Sequence, residues 1–133
     1  MAASIYVNLP VRDLPKSIAF FTELGYRFNQ QYTDASATCM IVADHICVML
    51  LDEARFKSFT PKPICDARTS TEVLICLQLD TRAEVEALVA KAVAAGGSTY
   101  KEPQDHGFMY GHGYQDLDGH LWELVCMSGP PPA

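Results

Sequence analysis

The segment from residue 104 to residue 123 holds the densest set of side chains able to do chemistry: His106, His112, Tyr114, Asp116, Asp118, His120 and Glu123. Glu123 is the most informative of these. It stands among Trp122, Leu124 and Val125 in a run that reads as a buried strand, and a buried carboxylate must be paired, protonated or bound to a cation. Asp118-Gly119 between two strand-like runs is a hairpin signal. With these two as a two-residue turn, residue 117 pairs with 120 and Tyr114 falls opposite Glu123. His112, Tyr114, Leu121, Glu123 and Val125 then share one face, while Gln115, Trp122 and Leu124 point the other way. That face would set a candidate general base, Glu123, beside the His112 imidazole and the Tyr114 phenol, a set suited to acid/base catalysis or to part of a metal site. The structural alternative is a hydrogen bond between Glu123 and Tyr114 that anchors the hairpin. His120 and His45, each next to a turn, and His106 in a polar loop read as solvated. No Ser-His-Asp or Cys-His nucleophile arrangement can be read, and Gly107, Gly111, Gly113 and Gly119 precede no helix, unlike a phosphate-cradling loop.

The elements that must position these residues repeat. Ile5, Val7, Leu9 and Val11 alternate with Tyr6, Asn8 and Pro10, the period of a strand with two differently used faces. Asp13 as N-cap, Pro15 in the first turn, the spacing of Leu14, Ile18 and Phe21, and Gly25 as a stop predict a helix. Strand-like runs follow over about 26–32, 36–42 and 45–51. Val7-x-Leu9-x-Val11 then recurs 68 residues later as Ile75-x-Leu77-x-Leu79. Thr81 and Glu84 have capping-box spacing, Val85, Leu88, Val89, Ala92 and Val93 lie on one helical face, and Gly96-Gly97 closes it. Runs over about 98–103, 109–116 and 120–127 complete the second copy. The expected architecture is α+β, a single domain over 1–133 built of two tandem β-α-β-β-β modules, 4–51 and 72–127. The 52–71 linker, through Pro61 and Pro63, is either a connector or a flap over a site, and the 128–133 tail is expected to be frayed.

Two of these segments carry a resemblance. Val11-Arg12-Asp13-Leu14 with Ser17-Ile18-Ala19-Phe20-Phe21 and Leu24-Gly25-Tyr26, and the closing Asp116-Leu117-Asp118-Gly119-His120-Leu121-Trp122-Glu123, resemble the opening helix and final hairpin of the vicinal oxygen chelate superfamily. That superfamily includes glyoxalase I, extradiol dioxygenases and the fosfomycin- and bleomycin-resistance proteins. The resemblance implies curved mixed sheets enclosing a cleft, often completed by a dimer partner, with four metal-ligand positions on the first and last strands of the two modules. Those positions fall on Tyr6 (with Asn8 one pleat along), Met49, Leu74 and Glu123. A hard divalent cation wants several oxygen or imidazole ligands, so only Glu123 is a retained ligand position. The departure argues against glyoxalase I and ordinary extradiol dioxygenase activity.

The resulting expectation is a small-molecule-binding protein with an incomplete metal site and no cofactor, comparable to the bleomycin-resistance branch. Its pocket walls would be Tyr6, Asn8, Cys47, Met49, Leu74, Cys76, His112, Tyr114 and Glu123, a mainly apolar concavity with a few polar groups. The alternative is a lyase, isomerase or dioxygenase in which Glu123, His112 and Tyr114 carry acid/base or divalent-metal chemistry; a filled, purely structural domain is a third. Among the 133 residues, acidic side chains outnumber basic ones 16 to 10 for a formal charge of −6, and the basic residues form no block, so nucleic acid and anionic membranes are not expected as partners. The longest apolar run, Ile46 to Leu51, is far short of the roughly 18 residues a bilayer span needs. Five cysteines without a C-x-x-C spacing read as reduced, mostly core residues. Together with a start lacking a secretory signal, they lead to the expectation of a cytoplasmic protein, as a homodimer.

Overall fold

The computed structural model describes residues 3–129; Met1, Ala2 and most of the predicted frayed tail lie outside them. The chain divides into two compact units, the first ending at Cys65 and the second beginning at Asp66.

In the first unit, β1 (Ile5–Val11), α1 (Leu14–Glu23), β2 (Arg27–Asn29), β3 (Ala37–Ala43) and β4 (Ile46–Asp52) follow the predicted order. The four strands form one open sheet in the order β1-β4-β3-β2, with β1 parallel to β4 and the other pairs antiparallel. One face is dry: Leu9 pairs with Leu50 and Met40 with Val48, all four are buried, and α1 packs onto β4. The helix begins where expected, the Asp13 Oδ1 accepting the Lys16 N–H at 3.0 Å, and Gly25 leaves it with φ +100°. Its buried stripe is Leu14, Ser17, Phe20 and Phe21, so Phe20 takes the inward place expected of Ile18. The short helix α2 (Glu53–Lys57), capped by Asp52, follows β4 directly and occupies the start of the predicted linker.

The second unit repeats the plan with β5 (Leu74–Gln78), α3 (Arg82–Ala94), β6 (Gln104–Asp105), β7 (Met109–Gln115) and β8 (Leu121–Met127). Its sheet runs β5-β8-β7-β6, again with the first pair parallel. The capping box forms as predicted, the Thr81 Oγ1 accepting the Glu84 N–H and donating to the Glu84 carboxylate, each at 3.1 Å. Val85, Val89 and Ala92 are buried, but Val93 is exposed. The run predicted over 98–103 is not a strand: only an isolated bridge from Ser98 to Gln115 forms, and pairing resumes at Gln104 once Pro103, which has no N–H to donate, is passed. The fold is α+β. Among the described residues, no helix is long and apolar enough to cross a membrane.

Candidate functional site

The loop joining β7 to β8 decides which side chains can meet. Asp116 and His120 close it, the Asp116 N–H donating to the His120 carbonyl at 3.0 Å, and the Gly119 N–H donates to the Asp116 carbonyl at 3.2 Å. The loop therefore has three residues, with Gly119 in the left-handed region at φ +93°. The cause is the Asp116 side chain. Its Oδ1 accepts the Asp118 and His120 N–H groups, each at 3.0 Å, and its Oδ2 accepts the Trp122 indole N–H at 3.0 Å. Asp116, Asp118 and His120 are all buried, so His120 is not the solvated residue expected. Burial pushes the Asp116 carboxyl up, against the opposing pull of His120 and of the three donors.

One additional loop residue moves every β7 side chain to the other face relative to Glu123, while Leu121 and Val125 stay on the Glu123 face and Trp122 and Leu124 on the opposite one, as predicted. Gly113, not Tyr114, pairs with Glu123, while Tyr114 pairs with Trp122 and His112 with Leu124. Tyr114 stacks on Trp122 at 6.1 Å on the face opposite Glu123. The expected grouping of Glu123 with His112 and Tyr114 is thus corrected. Glu123 instead shares a row with Cys76 on β5 and Gly113 on β7.

Gly113 is where Tyr100 enters. A Cβ on Gly113 would stand 2.6 Å from the Tyr100 hydroxyl and 2.5 Å from the Trp122 carbonyl, so the missing side chain is the space the phenol fills. The Tyr100 hydroxyl is buried without a hydrogen-bond partner. Burial first, then the Glu123 carboxylate and Cys76, push this phenol up to about 12; burial and Glu123 also raise the exposed Cys76 thiol. Sequence reading missed Tyr100, although a glycine inside a strand is itself a sign of close approach. Leu74 lies one pleat from Cys76, paired with Leu121 and exposed.

We expect Glu123→Gln to lower the Tyr100 phenol from about 12 toward its ordinary value. Tyrosinate absorbance titrated in wild type, Glu123→Gln and a Tyr100→Phe control reads this, and coincident wild-type and Glu123→Gln curves would remove Glu123 from the Tyr100 environment. Because the folded chain favours the neutral phenol, Tyr100 contributes stability that is complete below the unfolded value of 10.0 and is lost as pH rises through about 12.

In the first unit the predicted wall residues do share a face: Tyr6 pairs with Cys47 and Asn8 with Met49, on the side away from α1. Tyr6 and Asn8 are exposed, and Cys47 and Met49 are half-buried. Burial and a contact with Cys47 push the neighbouring Cys39 thiol up to about 11. The cysteines form no disulfide among the described residues; Cys39 and Cys126 are buried, but Cys65 and Cys76 are exposed rather than core. A concavity of about 410 Å³ opens on this face, lined by the apolar Met49, Leu51 and Ala37, the polar Asn8, Gln31, Thr33, Asp34 and Arg55, and the aromatic Tyr32 and Phe59. A second, of about 460 Å³, shares Asn8 and Phe59 and adds Phe56 and Thr60. Arg55 and Phe59 come from the segment read as connector or flap.

The first unit supplies Tyr6 and Met49 at the metal-ligand positions implied by the resemblance, and the second supplies Leu74 and Glu123. Met and Leu offer no hard donor. Among the described residues, no group of three or more His, Cys, Asp or Glu side chains is arranged to hold a metal ion. The donor set does not fit a divalent metal.

The family model of the Glyoxalase/Bleomycin resistance protein/Dioxygenase superfamily matches residues 4–124. The chain belongs to this superfamily. Members of the glyoxalase superfamily are also its structural neighbours. A hypothetical protein, SA1046 from S. aureus, shares 30% identity at a TM-score of 0.80, with 95% of this chain and 94% of that one covered. A family enzyme from Burkholderia phytofirmans PsJN aligns at 19% identity and TM-score 0.77, covering 95% and 99%. The fosfomycin resistance protein FosX from Listeria monocytogenes aligns at 17% identity and TM-score 0.68, covering 96% and 95%; these last two likenesses concern the fold alone. No curated protein matches the chain.

Proposed function

We propose that this glyoxalase-superfamily protein binds a small organic molecule without a divalent metal, in the manner of the bleomycin-resistance branch. The observation that carries the reading is the concave face of the first unit. There the superfamily's metal-ligand positions hold Tyr6 and Met49, and Asn8 and Met49 line a hollow of about 410 Å³, within the size range of small-molecule sites. The exposed apolar residues Ile5 and Tyr6 on the edge strand β1 and Leu74 on the edge strand β5 support a homodimer, and five cysteines without a disulfide among the described residues support a cytoplasmic protein. Elemental analysis combined with light scattering on the protein dialysed against Zn²⁺, Ni²⁺, Mn²⁺ or Fe²⁺ tests the reading. We expect twice the chain mass and far less than one equivalent of any metal. A stoichiometric ion that is lost in Glu123→Gln would overturn it.

A second reading has one observation in its favour. The unpartnered Tyr100 hydroxyl beside Glu123 and Cys76 supports acid/base chemistry on the second unit's sheet, with Tyr100 in place of the expected His112 and Tyr114.

A further inference from the structure

The hollow on the first unit brings one guanidinium, that of Arg55, together with the Asp34 carboxylate. Asp34 is the anionic acceptor there: its Oδ1 accepts the Ser36 N–H and hydroxyl, each at 2.8 Å, and the Ala37 N–H at 3.0 Å, while its Oδ2 faces Arg55. These bonds, with Arg55, hold its carboxyl below the usual range. Arg55 is the donor. Its guanidinium has five N–H groups, yet its side chain makes one hydrogen bond, to the Ser36 hydroxyl at 3.2 Å. Its approach to the Asp34 Oδ2 is 3.7 Å, beyond hydrogen-bond reach, in a solvent-exposed pair of the kind that contributes little. The cationic part of the pocket's spare capacity is therefore a planar fork of Arg55 donors.

The walls specify the rest of the ligand. Arg55 lies over the Phe59 ring at 5.7 Å, and Phe59 and Tyr32, both lining the hollow, are 61% and 58% exposed, an unusual outlay of aromatic surface to leave in water. Met49 and Leu51 add apolar lining. The Asn8 amide donates to the Tyr6 carbonyl at 3.3 Å, which leaves its Oδ1 as a neutral acceptor for a ligand hydroxyl or amine.

We infer that the hollow formed by Asn8, Tyr32, Met49, Arg55 and Phe59 binds a planar aromatic carboxylate, its anionic group on the Arg55 fork and its ring between Phe59 and Tyr32. This rests on the small-molecule reading above and adds the site and the ligand class. The test titrates the full chain with 2-naphthoate, neutral 2-naphthol and cationic 2-naphthylmethylammonium, following the amide signals of residues 3–65 by NMR and the affinity by calorimetry. The expected order puts naphthoate at least tenfold tighter than naphthol, with the ammonium weakest. Arg55→Ala should abolish the preference for naphthoate while holding naphthol within threefold, Arg55→Lys should keep part of it because an ammonium lacks the planar fork, and Phe59→Ala should weaken all binding probes together. A preference for the ammonium, or an unchanged preference in Arg55→Ala, overturns the ligand class and leaves small-molecule binding standing. If none of the three probes shifts the amides lining the hollow, both readings fall.

Discussion

Asp116→Ala is expected to destabilise the second unit by about 3–5 kcal/mol, the largest loss predicted for a single polar side chain. The carboxylate accepts two backbone N–H groups and the Trp122 indole N–H, and Asp118, His120 and Trp122 are all buried. Alanine strands these donors, and each buried orphan costs roughly 1–3 kcal/mol. Asp116→Asn keeps a carbonyl for one side of the network but turns an N–H₂ toward the other, so an intermediate loss of about 1–2 kcal/mol is expected. Thermal melts followed by circular dichroism check the series: a drop of roughly 10 °C or more is expected for alanine. Equal melting of wild type and Asp116→Ala would show that the loop is held by something other than this side chain.

Gly119→Ala should cost as much by a different route. At φ +93° an L side chain pays about 1–2 kcal/mol of backbone strain. The added Cβ would also stand 2.7 Å from the Ala67 carbonyl oxygen and 2.9 Å from the Arg68 nitrogen, main-chain atoms that cannot rotate away. The total is expected at about 3–5 kcal/mol. Gly25→Ala is the control that separates the two effects, because Gly25 has a similar φ of +100° with nothing within 4 Å of a Cβ. It should lose only the strain. Matching losses at positions 25 and 119, measured by chemical denaturation, would show that the close approach to residues 67 and 68 has no energetic weight.

Much of the fold was legible because it is written in local signals. The alternation in β1 and β5, the caps at Asp13 and Thr81 and the stop at Gly25 each act within a few residues, and the repeat over 68 positions needs only pattern matching. Asn8 and Met49 were placed on the correct face because the parallel pairing of β1 with β4 preserves the alternation. What failed was register. Asp-Gly is a favoured two-residue turn, but the Asp116 side chain recruits three donors and lengthens the loop by one residue, which carries His112 and Tyr114 to the face away from Glu123. Tyr100 was missed because its place is defined by an absence, the missing Cβ of Gly113. Arg55 was missed because a five-residue helix is too short to show a period, and Phe59 because it lies in the turn beyond that helix, outside any periodic element.

The stacking of Trp122 on Tyr114 has a practical consequence. Trp122 is the chain's single tryptophan and is fully buried in the second unit, so intrinsic emission excited near the red edge of indole absorbance follows that unit alone. Far-ultraviolet dichroism follows both. Protein engineers thus have a built-in reporter: superimposable melting curves from the two signals mean that the duplicated halves behave as one cooperative body, and separated curves give each half its own stability without any label.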